Sequence, residues 1–301
     1  MSQFKLFSPY IPLLCGLLLI AACSPQTTSD QASPDKFVIA MEPDKEPDAM
    51  LEDRRAIETY LSESTGKTVE AIVPISSAVI YEGLKNGSID VAYLSSTAAA
   101  KLMESGAVDI LLAELIEGQP YYQSYWIGLK ESPYQSIADL KGKPIAFSSR
   151  TSTSGFLIPV WDLYSKGLID LESGPKGFFG ENNVFYGVGY VSAAERVLDG
   201  SAEAAAVSYY VLDQDRHLSP EQRDRLKVID TQGPVPSHVI VIRKALSEQD
   251  RALLRESLLG MNTQAAELRD RIFGAPLAPA EAGQHLRSSF EALELMRTMR
   301  F

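Results

Sequence analysis

Hydroxyl side chains gather at four points where a strand-like segment gives way to a helix-like segment. The four junctions are Ser76-Ser77, Ser95-Ser96-Thr97, the run from Thr151 to Gly155, and Ser192. In open α/β sheets, ligands bind at the carboxyl ends of strands, where such junctions lie. A helix N-terminus there offers unpaired N–H groups and a partial positive charge. Together, the four junctions therefore predict a site for a small oxyanion.

Helix capping is the alternative explanation for each junction taken alone. Serine and threonine are favoured N-cap residues because their side-chain oxygens accept a hydrogen bond from the first turn of the helix. One cap needs one hydroxyl, whereas four hydroxyl residues in a row, Thr151 to Ser154, precede Gly155. That run is the strongest candidate for binding a ligand.

Catalytic patterns are absent from the sequence. It contains three histidines, His217, His238 and His285, and no GxSxG, HExxH or Walker-type sequence. His238 starts a strand-like segment and could reach a cleft. Carboxylate pairs such as Glu52-Asp53 are most simply explained as solvated helix faces. We therefore expect a binding protein and not an enzyme, with no metal or cofactor.

Composition excludes several other classes of protein. The chain has 301 residues, of which 45% are hydrophobic and 22% charged, so it is not a disordered, collagen-like or disulfide-rich mini-protein. It carries 28 Lys and Arg against 39 Asp and Glu, a net charge of −11. Such a surface repels phosphate backbones and argues against a nucleic-acid partner. The one long apolar run lies at the start of the chain, which excludes a multi-span membrane protein.

The first 35 residues predict an export signal followed by a tether. The apolar stretch at 11–22 is shorter than the roughly 20 residues that span a bilayer. Small residues before Cys23 resemble the lipobox of bacterial lipoproteins, so we expect a signal peptide at 1–22 and an acylated, palmitate-bearing Cys23. The polar segment 23–35 reads as a flexible tether. An ordinary secretory signal cleaved nearby is the alternative.

Strand-like and helix-like segments alternate from residue 36 onward. The first series predicts strands at 37–40, 68–73, 89–94 and 108–115, with helices at 48–64, 76–86 and 97–104. A second series, from Tyr125, predicts strands at 126–130, 144–147, 183–186, 204–209, 228–230 and 238–242, with helices at 137–140, 155–166 and 192–198. Three further helices are predicted at 247–261, 263–273 and 288–299. This alternation predicts parallel α/β sheets.

Several of these segments resemble the phosphate/phosphite/phosphonate-binding proteins of ABC transporters. The most specific piece is Ser152-Thr153-Ser154-Gly155, which follows KGKPIAF at 141–147. Further pieces are TYL at 59–61, GKTVE at 66–70, EGLKNGSIDVAY at 82–93, QPYYQS at 119–124, GPVP at 233–236 and VIRK at 241–244. The resemblance implies an α/β, two-lobed periplasmic-binding-protein fold of type II, with the ligand in the interlobe cleft.

The resemblance also implies how the chain is divided. The two lobes are joined by crossings near 122–125 and 233–238. Lobe 1 is expected to hold residues 36–124 plus 238–301, and lobe 2 residues 125–237.

Ligand contacts follow from the same resemblance. The family's serine-threonine-serine hydroxyls map to Ser152, Thr153 and Ser154. Backbone N–H groups of Ser154 and Gly155, at the start of the following helix, are expected to assist them. The family's crossover tyrosine maps to Tyr122.

This chain departs from the family at several pocket positions. The positions are Ser77 for a tyrosine, Ser95-Ser96 for Gly-Pro, Ala99 for a tyrosine, Val191 for a histidine and Ser208 for an acid. Acid and histidine groups would recognise an amino group or a P–OH proton, so their replacement argues for an oxyanion held by neutral donors. The candidate ligand contacts then include Ser77, Ser95, Ser96, Ser208 and Tyr93. Tyr93, like Tyr209 and Tyr210, is placed either around the anion or in the core.

The implied function is that of a lipid-anchored substrate-binding protein of an ABC importer. It would capture a small phosphorus oxyanion (phosphonate, phosphite or phosphate-like) and deliver it to permease and ATPase subunits. We expect a monomer held by its lipid at the periplasmic or extracytoplasmic face of a membrane. The alternatives are a ligand-sensing lipoprotein of the same fold that signals to a membrane protein, and a binder of a different small anion.

Overall fold

A computed structural model describes residues 34–41, 50–214 and 217–301. The predicted signal peptide, Cys23 and nearly all of the tether lie outside the described residues. Ser33–Phe301 form one compact unit. The described part of this unit contains eleven strands, arranged in two separate sheets, and twelve α-helices.

The first sheet has six strands in the order β11-β4-β10-β3-β1-β2. Its strands are β1 Lys36–Met41, β2 Thr68–Ile72, β3 Val91–Leu94, β4 Val108–Glu114, β10 Val239–Arg243 and β11 Leu277–Ala278. The helices around it are α1 Leu51–Thr65, α2 Ser77–Asn86, α3 Ser96–Met103, α9 Glu248–Gln264, α10 Ala266–Phe273 and α11 Ala282–His285. We call this sheet and these helices lobe 1.

The second sheet has five strands in the order β7-β6-β8-β5-β9. Its strands are β5 Tyr121–Leu129, β6 Ile145–Phe147, β7 Val184–Tyr186, β8 Ala204–Ser208 and β9 Leu226–Pro236. The helices around it are α4 Ile158–Ser165, α5 Gly174–Phe179, α6 Tyr190–Leu198, α7 Tyr210–Asp213 and α8 Pro220–Asp224. We call this sheet and these helices lobe 2. A short 3-10 helix, Ile137–Leu140, and a π-helical turn, Thr153–Leu157, belong to it as well.

Both sheets are mixed, so the prediction of purely parallel sheets is wrong. Strand β1 pairs in parallel with β2 and β3, and β6 pairs in parallel with β7 and β8. Strands β10 and β5, however, run antiparallel to their neighbours. The cause is the path of the chain. It leaves lobe 1 after β4 and returns after β9, so the strands next to the crossings enter their sheets in the opposite direction.

Local signals placed several element ends correctly. Gly66 and Gly87 end helices α1 and α2 with left-handed φ angles of 69° and 84°, a conformation that glycine adopts without steric cost. Strand β5 begins at Tyr121 and β9 extends to Pro236, so both are longer than predicted. Their extra length comes from pairing with each other along most of their course, which is a non-local interaction.

The last helix, α12 Arg287–Thr298, packs against both lobes. Ala292, Leu295 and Met299 join the core of lobe 2, around Trp126. Leu286, just before the helix, is buried in the core of lobe 1. The C-terminal region therefore touches lobe 2, although the sequence assigned residues 238–301 to lobe 1.

Candidate functional site

The hydroxyl-bearing strand ends meet at one cavity of about 640 Å³. Both lobes line it. Six of the ten predicted ligand contacts are among its lining residues: Ser77, Tyr93, Ser95, Tyr122, Ser152 and Thr153. The other four, Ser96, Ser154, Gly155 and Ser208, do not line it.

The π-helical turn at Thr153–Leu157 forms part of the lobe 2 wall and follows strand β6 after the loop at 148–152. Ser152 caps this turn, since its Oγ accepts a hydrogen bond from the Gly155 N–H at 3.0 Å. A Cβ at residue 155 would lie 2.4 Å from Ser148 Oγ, so the turn can approach β6 only with glycine there. In this structure the Gly155 N–H donates to Ser152 and not into the cavity, so Ser152 acts as a helix cap.

Tyr190 joins the hydroxyl groups of this wall. Its phenol oxygen lies 2.7 Å from Ser154 Oγ and 3.3 Å from Ser152 Oγ, and Tyr190 lines the cavity. Ser154 is also a hydrogen-bond partner of Tyr122. Burial raises the pKa of Tyr122 far above its ordinary value, so this phenol stays neutral and keeps its proton for donation.

Sequence reasoning missed Tyr190, although a signal for it was present. The residue begins helix α6, at the junction where Ser192 had been noted. Ser192 itself accepts hydrogen bonds from the N–H groups of Val188 and Gly189, at 2.9 and 3.2 Å. Ser192 is therefore a cap, and the tyrosine two residues earlier reaches the cavity.

A hydrogen bond between hydroxyls joins the two lobes beside the cavity. Thr97 Oγ1, on helix α3, lies 2.5 Å from Thr153 Oγ1, on the π-helical turn. Both side chains are buried, with 3% and 6% of their surface exposed. Thr153 thus faces the cavity and contacts lobe 1 at the same time.

Polar side chains also lie behind the lobe 2 wall. The Ser124 hydroxyl contacts the carbonyl oxygens of Ser154 and Val207, and Gln232 Nε2 donates to Ser124 Oγ at 3.3 Å. Two predicted ligand contacts lie in the interior of their lobes, Ser208 in lobe 2 and Ser96 in lobe 1. Both are buried, and their hydroxyls have no hydrogen-bond partner among the described residues. These two predicted contacts therefore lie away from the cavity surface.

Lobe 1 contributes an acid and a histidine. Glu114, the last residue of β4, is 4% exposed and lines the cavity. Its carboxylate accepts a hydrogen bond from the Tyr93 hydroxyl and lies 3.6 Å from His238 Nδ1. The rings of Tyr93 and His238 stack at 5.3 Å. The sequence left open whether His238 reaches the cleft, and it gave no sign of Glu114, which ends an apolar strand without any hydroxyl junction.

Asp53 and Asp270 line the lobe 1 side of the cavity, and each pairs with an arginine. Arg271 Nε donates to Asp53 at 2.8 Å, and this hydrogen bond raises the pKa of the guanidinium. Arg269 forms a second pair, with Asp270. Arg271 is the one Lys or Arg among the described residues that line the cavity. The lobe 1 lining thus has three acids, Asp53, Glu114 and Asp270, against one arginine, whereas the described lobe 2 lining has hydroxyl groups and no charged side chain.

The three tyrosines left open by the sequence, Tyr93, Tyr209 and Tyr210, all line the cavity. The ring of Tyr209 lies 5.4 Å from that of Tyr122, and the ring of Tyr210 lies 5.6 Å from that of Tyr190. Two family positions that differ here lie elsewhere. Val191 is 36% exposed on α6 and Ala99 is fully buried in α3.

Neither a metal centre nor a membrane-spanning helix is found in the described ranges. Residues 34–41, 50–214 and 217–301 hold no group of three or more His, Cys, Asp or Glu side chains arranged for a metal ion. Within the same residues, no helix is both long and apolar enough to cross a bilayer.

Two α/β lobes around a polar cavity define a ligand-binding protein of the two-lobed class. The chain belongs to the family described as "ABC transporter, phosphonate, periplasmic substrate-binding protein", which matches residues 39–282. This membership confirms the resemblance seen in the sequence. The family's description, a substrate-binding protein of a transporter, agrees with the expectation of a binding protein.

Two characterised relatives share part of the sequence. The "Phosphate-import protein PhnD" of Mycolicibacterium smegmatis is 28% identical over 198 residues, 63% of this chain and 61% of the relative. The "Phosphonates-binding periplasmic protein" of Escherichia coli is 25% identical over 223 residues, 72% of this chain and 64% of the relative. The chain thus spans less than two-thirds of the length of both relatives.

A solved structure shows the same fold. PhnD1 from Prochlorococcus marinus, in complex with methylphosphonate, superimposes with a TM-score of 0.70 at 18% identity, covering 89% of this chain and 100% of that protein. The similarity confirms the predicted α/β, two-lobed, type II periplasmic-binding-protein fold.

Proposed function

We propose that this protein is a lipid-anchored substrate-binding protein of an ABC importer that captures a small phosphorus oxyanion in its cavity. The observation that carries the proposal is the lobe 2 wall, where Ser152, Thr153 and Tyr190 bring hydroxyl groups to one surface of the cavity. The ligand class is a phosphonate, phosphite or phosphate.

Neutral hydroxyls suit such a ligand for a physical reason. Each hydroxyl supplies one proton to an anionic oxygen, and a hydrogen bond to a charged group contributes about 1.5–3 kcal/mol. The hydroxyls of Ser152, Ser154 and Tyr190 bind one another in this structure. Hydroxyl rotors turn at little cost, so Ser152 and Tyr190, which line the cavity, can exchange these contacts for the oxygens of an anion.

The relatives support the choice of phosphorus. One is named for phosphate import and another for phosphonate binding, and PhnD1 holds methylphosphonate. Glu114 adds a criterion within this class, because a carboxylate on the opposite wall accepts hydrogen bonds and disfavours a second full negative charge. A singly charged phosphonate or phosphite therefore suits the cavity better than a dianion.

Partners and location complete the proposal. A binding protein of an importer hands its ligand to a permease driven by an ATPase, at the outer face of the membrane.

We propose that Cys23 carries the lipid that holds the protein there. Cys23→Ser should give an unprocessed or soluble form. A Cys23→Ser protein of mature mass that still partitions into detergent would exclude this anchor.

A thermal-shift panel tests the ligand class. The ligands are phosphate, phosphite, methylphosphonate, sulfate and methanesulfonate, each titrated against the wild type and against a Ser152→Ala/Thr153→Val double variant. A ligand at 100 times its dissociation constant should stabilise the wild type by about 2.7 kcal/mol, and the double variant should lose most of this gain. Stabilisation by the sulfur oxyanions alone, or by no member of the panel, would contradict the proposal.

A further inference from the structure

We infer that Thr97 is a positioning residue that turns the hydroxyl proton of Thr153 toward the ligand from the opposite lobe. The inference rests on the proposed function, since it concerns how the anion-binding hydroxyl is oriented. It adds to the site a residue that does not itself line the cavity.

The geometry of the pair is the first step. The two hydroxyl oxygens lie 2.5 Å apart, and both threonines are more than nine-tenths buried. Thr97 stands in the first turn of helix α3, which begins where β3 ends. Thr153 begins the π-helical turn, which follows β6 after the loop at 148–152. One hydrogen bond therefore ties the strand end of one lobe to the anion-binding wall of the other.

The count of protons gives the direction of this hydrogen bond. Each threonine hydroxyl has one proton, and the pair uses only one of the two. If Thr153 donated this hydrogen bond, the unused hydroxyl proton would be that of Thr97. The Thr97 side chain is buried, and its hydroxyl has no second hydrogen-bond partner among the described residues. If Thr97 donates, the remaining proton belongs to Thr153, which lines the cavity. The second arrangement leaves no buried donor unsatisfied.

An anion in the cavity favours the same direction. Thr97 donates to Thr153, and Thr153 donates to an oxygen of the anion. Hydrogen bonds in such a chain polarise one another, so the first bond strengthens the second. Thr97 thereby contributes to affinity through Thr153 alone, which distinguishes it from a residue that only packs.

Titration calorimetry on the full mature chain tests the inference, with methylphosphonate and phosphite as probes. The variants are Thr97→Val, Thr97→Ser, Thr153→Val and the double Thr97→Val/Thr153→Val. We expect Thr97→Val to weaken binding by about 3- to 10-fold, the range for one hydrogen bond between neutral groups. Thr97→Ser keeps the hydroxyl and should restore wild-type affinity. In the Thr153→Val background, Thr97→Val should have no further effect.

The matched control is Thr65→Val. Thr65 is a buried threonine of lobe 1 whose hydroxyl donates to the Leu61 carbonyl oxygen, and it does not line the cavity. Its replacement should lower the melting temperature and leave the dissociation constants unchanged. If Thr97→Val does not fold, the comparison of Thr97→Ala with Thr97→Ser answers the same question.

The outcomes separate this inference from the proposed function. If Thr153→Val weakens ligand binding and Thr97→Val leaves it unchanged, the inference alone is overturned. Equal weakening by Thr97→Val with and without the Thr153 hydroxyl would also overturn it, because Thr97 would then act by another route. An unchanged Thr153→Val, or a wild type that binds neither probe, would reject the proposed function and the inference together.

Discussion

The phenol oxygen of Tyr190 lies 2.7 Å from the hydroxyl oxygen of Ser154, which joins the start of helix α6 to the lobe 2 wall of the cavity. The contact connects two strand-to-helix junctions that are 36 residues apart in the sequence. It gives the wall an aromatic donor that no local pattern of serines and threonines reveals.

Tyr190→Phe is therefore expected to weaken ligand binding. The variant keeps the ring and removes one donor to a charged ligand, a loss of about 1.5–3 kcal/mol or roughly 10- to 150-fold in affinity. Calorimetric titration with methylphosphonate measures it. Tyr164→Phe removes a phenol from a half-exposed position on helix α4 and serves as the control, with affinity unchanged. Equal dissociation constants for Tyr190→Phe and the wild type would exclude Tyr190 from the site.

Glu114→Gln is expected to act in the opposite direction. Two like unit charges about 10 Å apart repel by roughly 1.7 kcal/mol at an effective dielectric constant of about 20. Removing the carboxylate charge from the cavity wall should therefore strengthen oxyanion binding by about 15-fold. Glu63→Gln makes the same change of charge on an exposed face of α1 and should have little effect. Weaker binding in Glu114→Gln would show that the ligand presents a cationic or donor group to this wall.

Gly155→Ala tests the close approach of the π-helical turn to strand β6. The added Cβ would meet both side-chain atoms of Ser148 at about 2.5 Å or less, so the turn must shift. Overpacking of this kind costs about 1–3 kcal/mol, and the ligand affinity should fall with the displaced hydroxyls. Gly283→Ala is the control, because Gly283 lies in helix α11 with no atom within 4 Å of its Cβ position. That substitution should stabilise the protein by about 0.5–1 kcal/mol. A melting temperature for Gly155→Ala equal to that of the wild type would refute the clash.

His285 is expected to make stability depend on pH. Burial lowers the pKa of its imidazole, whose Nε2 lies 3.1 Å from the Ser237 carbonyl oxygen. In the unfolded chain, the imidazole takes up a proton near the ordinary histidine pKa of about 6.5. In the native protein, it takes up this proton only at lower pH. Between these two pKa values the unfolded state binds more protons, so the stability present above the unfolded pKa is lost as the pH falls.

The His285→Gln variant should remove this part of the pH dependence. Melting temperatures measured from about pH 8 down to about pH 5 would show a shallower decline in the variant than in the wild type, with parallel curves above the ordinary histidine pKa of about 6.5. Identical slopes below that pKa would mean that His285 takes up its proton without cost in the folded protein.

Local sequence patterns predicted much of the candidate site. The run from Thr151 to Gly155 was recognisable because four consecutive hydroxyls exceed what one helix cap requires, and Ser152 and Thr153 do line the cavity. Ser208 and Ser96 were harder to place. Whether a serine beside a strand end faces the cavity or the interior depends on the packing of neighbouring elements, and both are buried.

Other features depend on contacts distant in the sequence. In the sequence, Glu114 is the end of an apolar strand. Its surroundings on the wall follow from the sheet order, in which β10 lies beside β4 and β3 lies beyond β10, so that His238 and Tyr93 come close to it. Thr97 and Thr153 are 56 residues apart and meet only because the two lobes do. Periodicity within one segment contains no information about such pairs.

The most direct test of the central claim is the dissociation constant of Thr153→Val for methylphosphonate, measured beside the wild type with the melting temperature of each unliganded protein. Valine keeps the shape of threonine and removes only the hydroxyl. If this hydroxyl binds the oxyanion, affinity should fall by roughly 10- to 150-fold, the equivalent of about 1.5–3 kcal/mol. If it serves only the fold, the melting temperature should fall and the dissociation constant should match the wild type, which would contradict an oxyanion site on this wall.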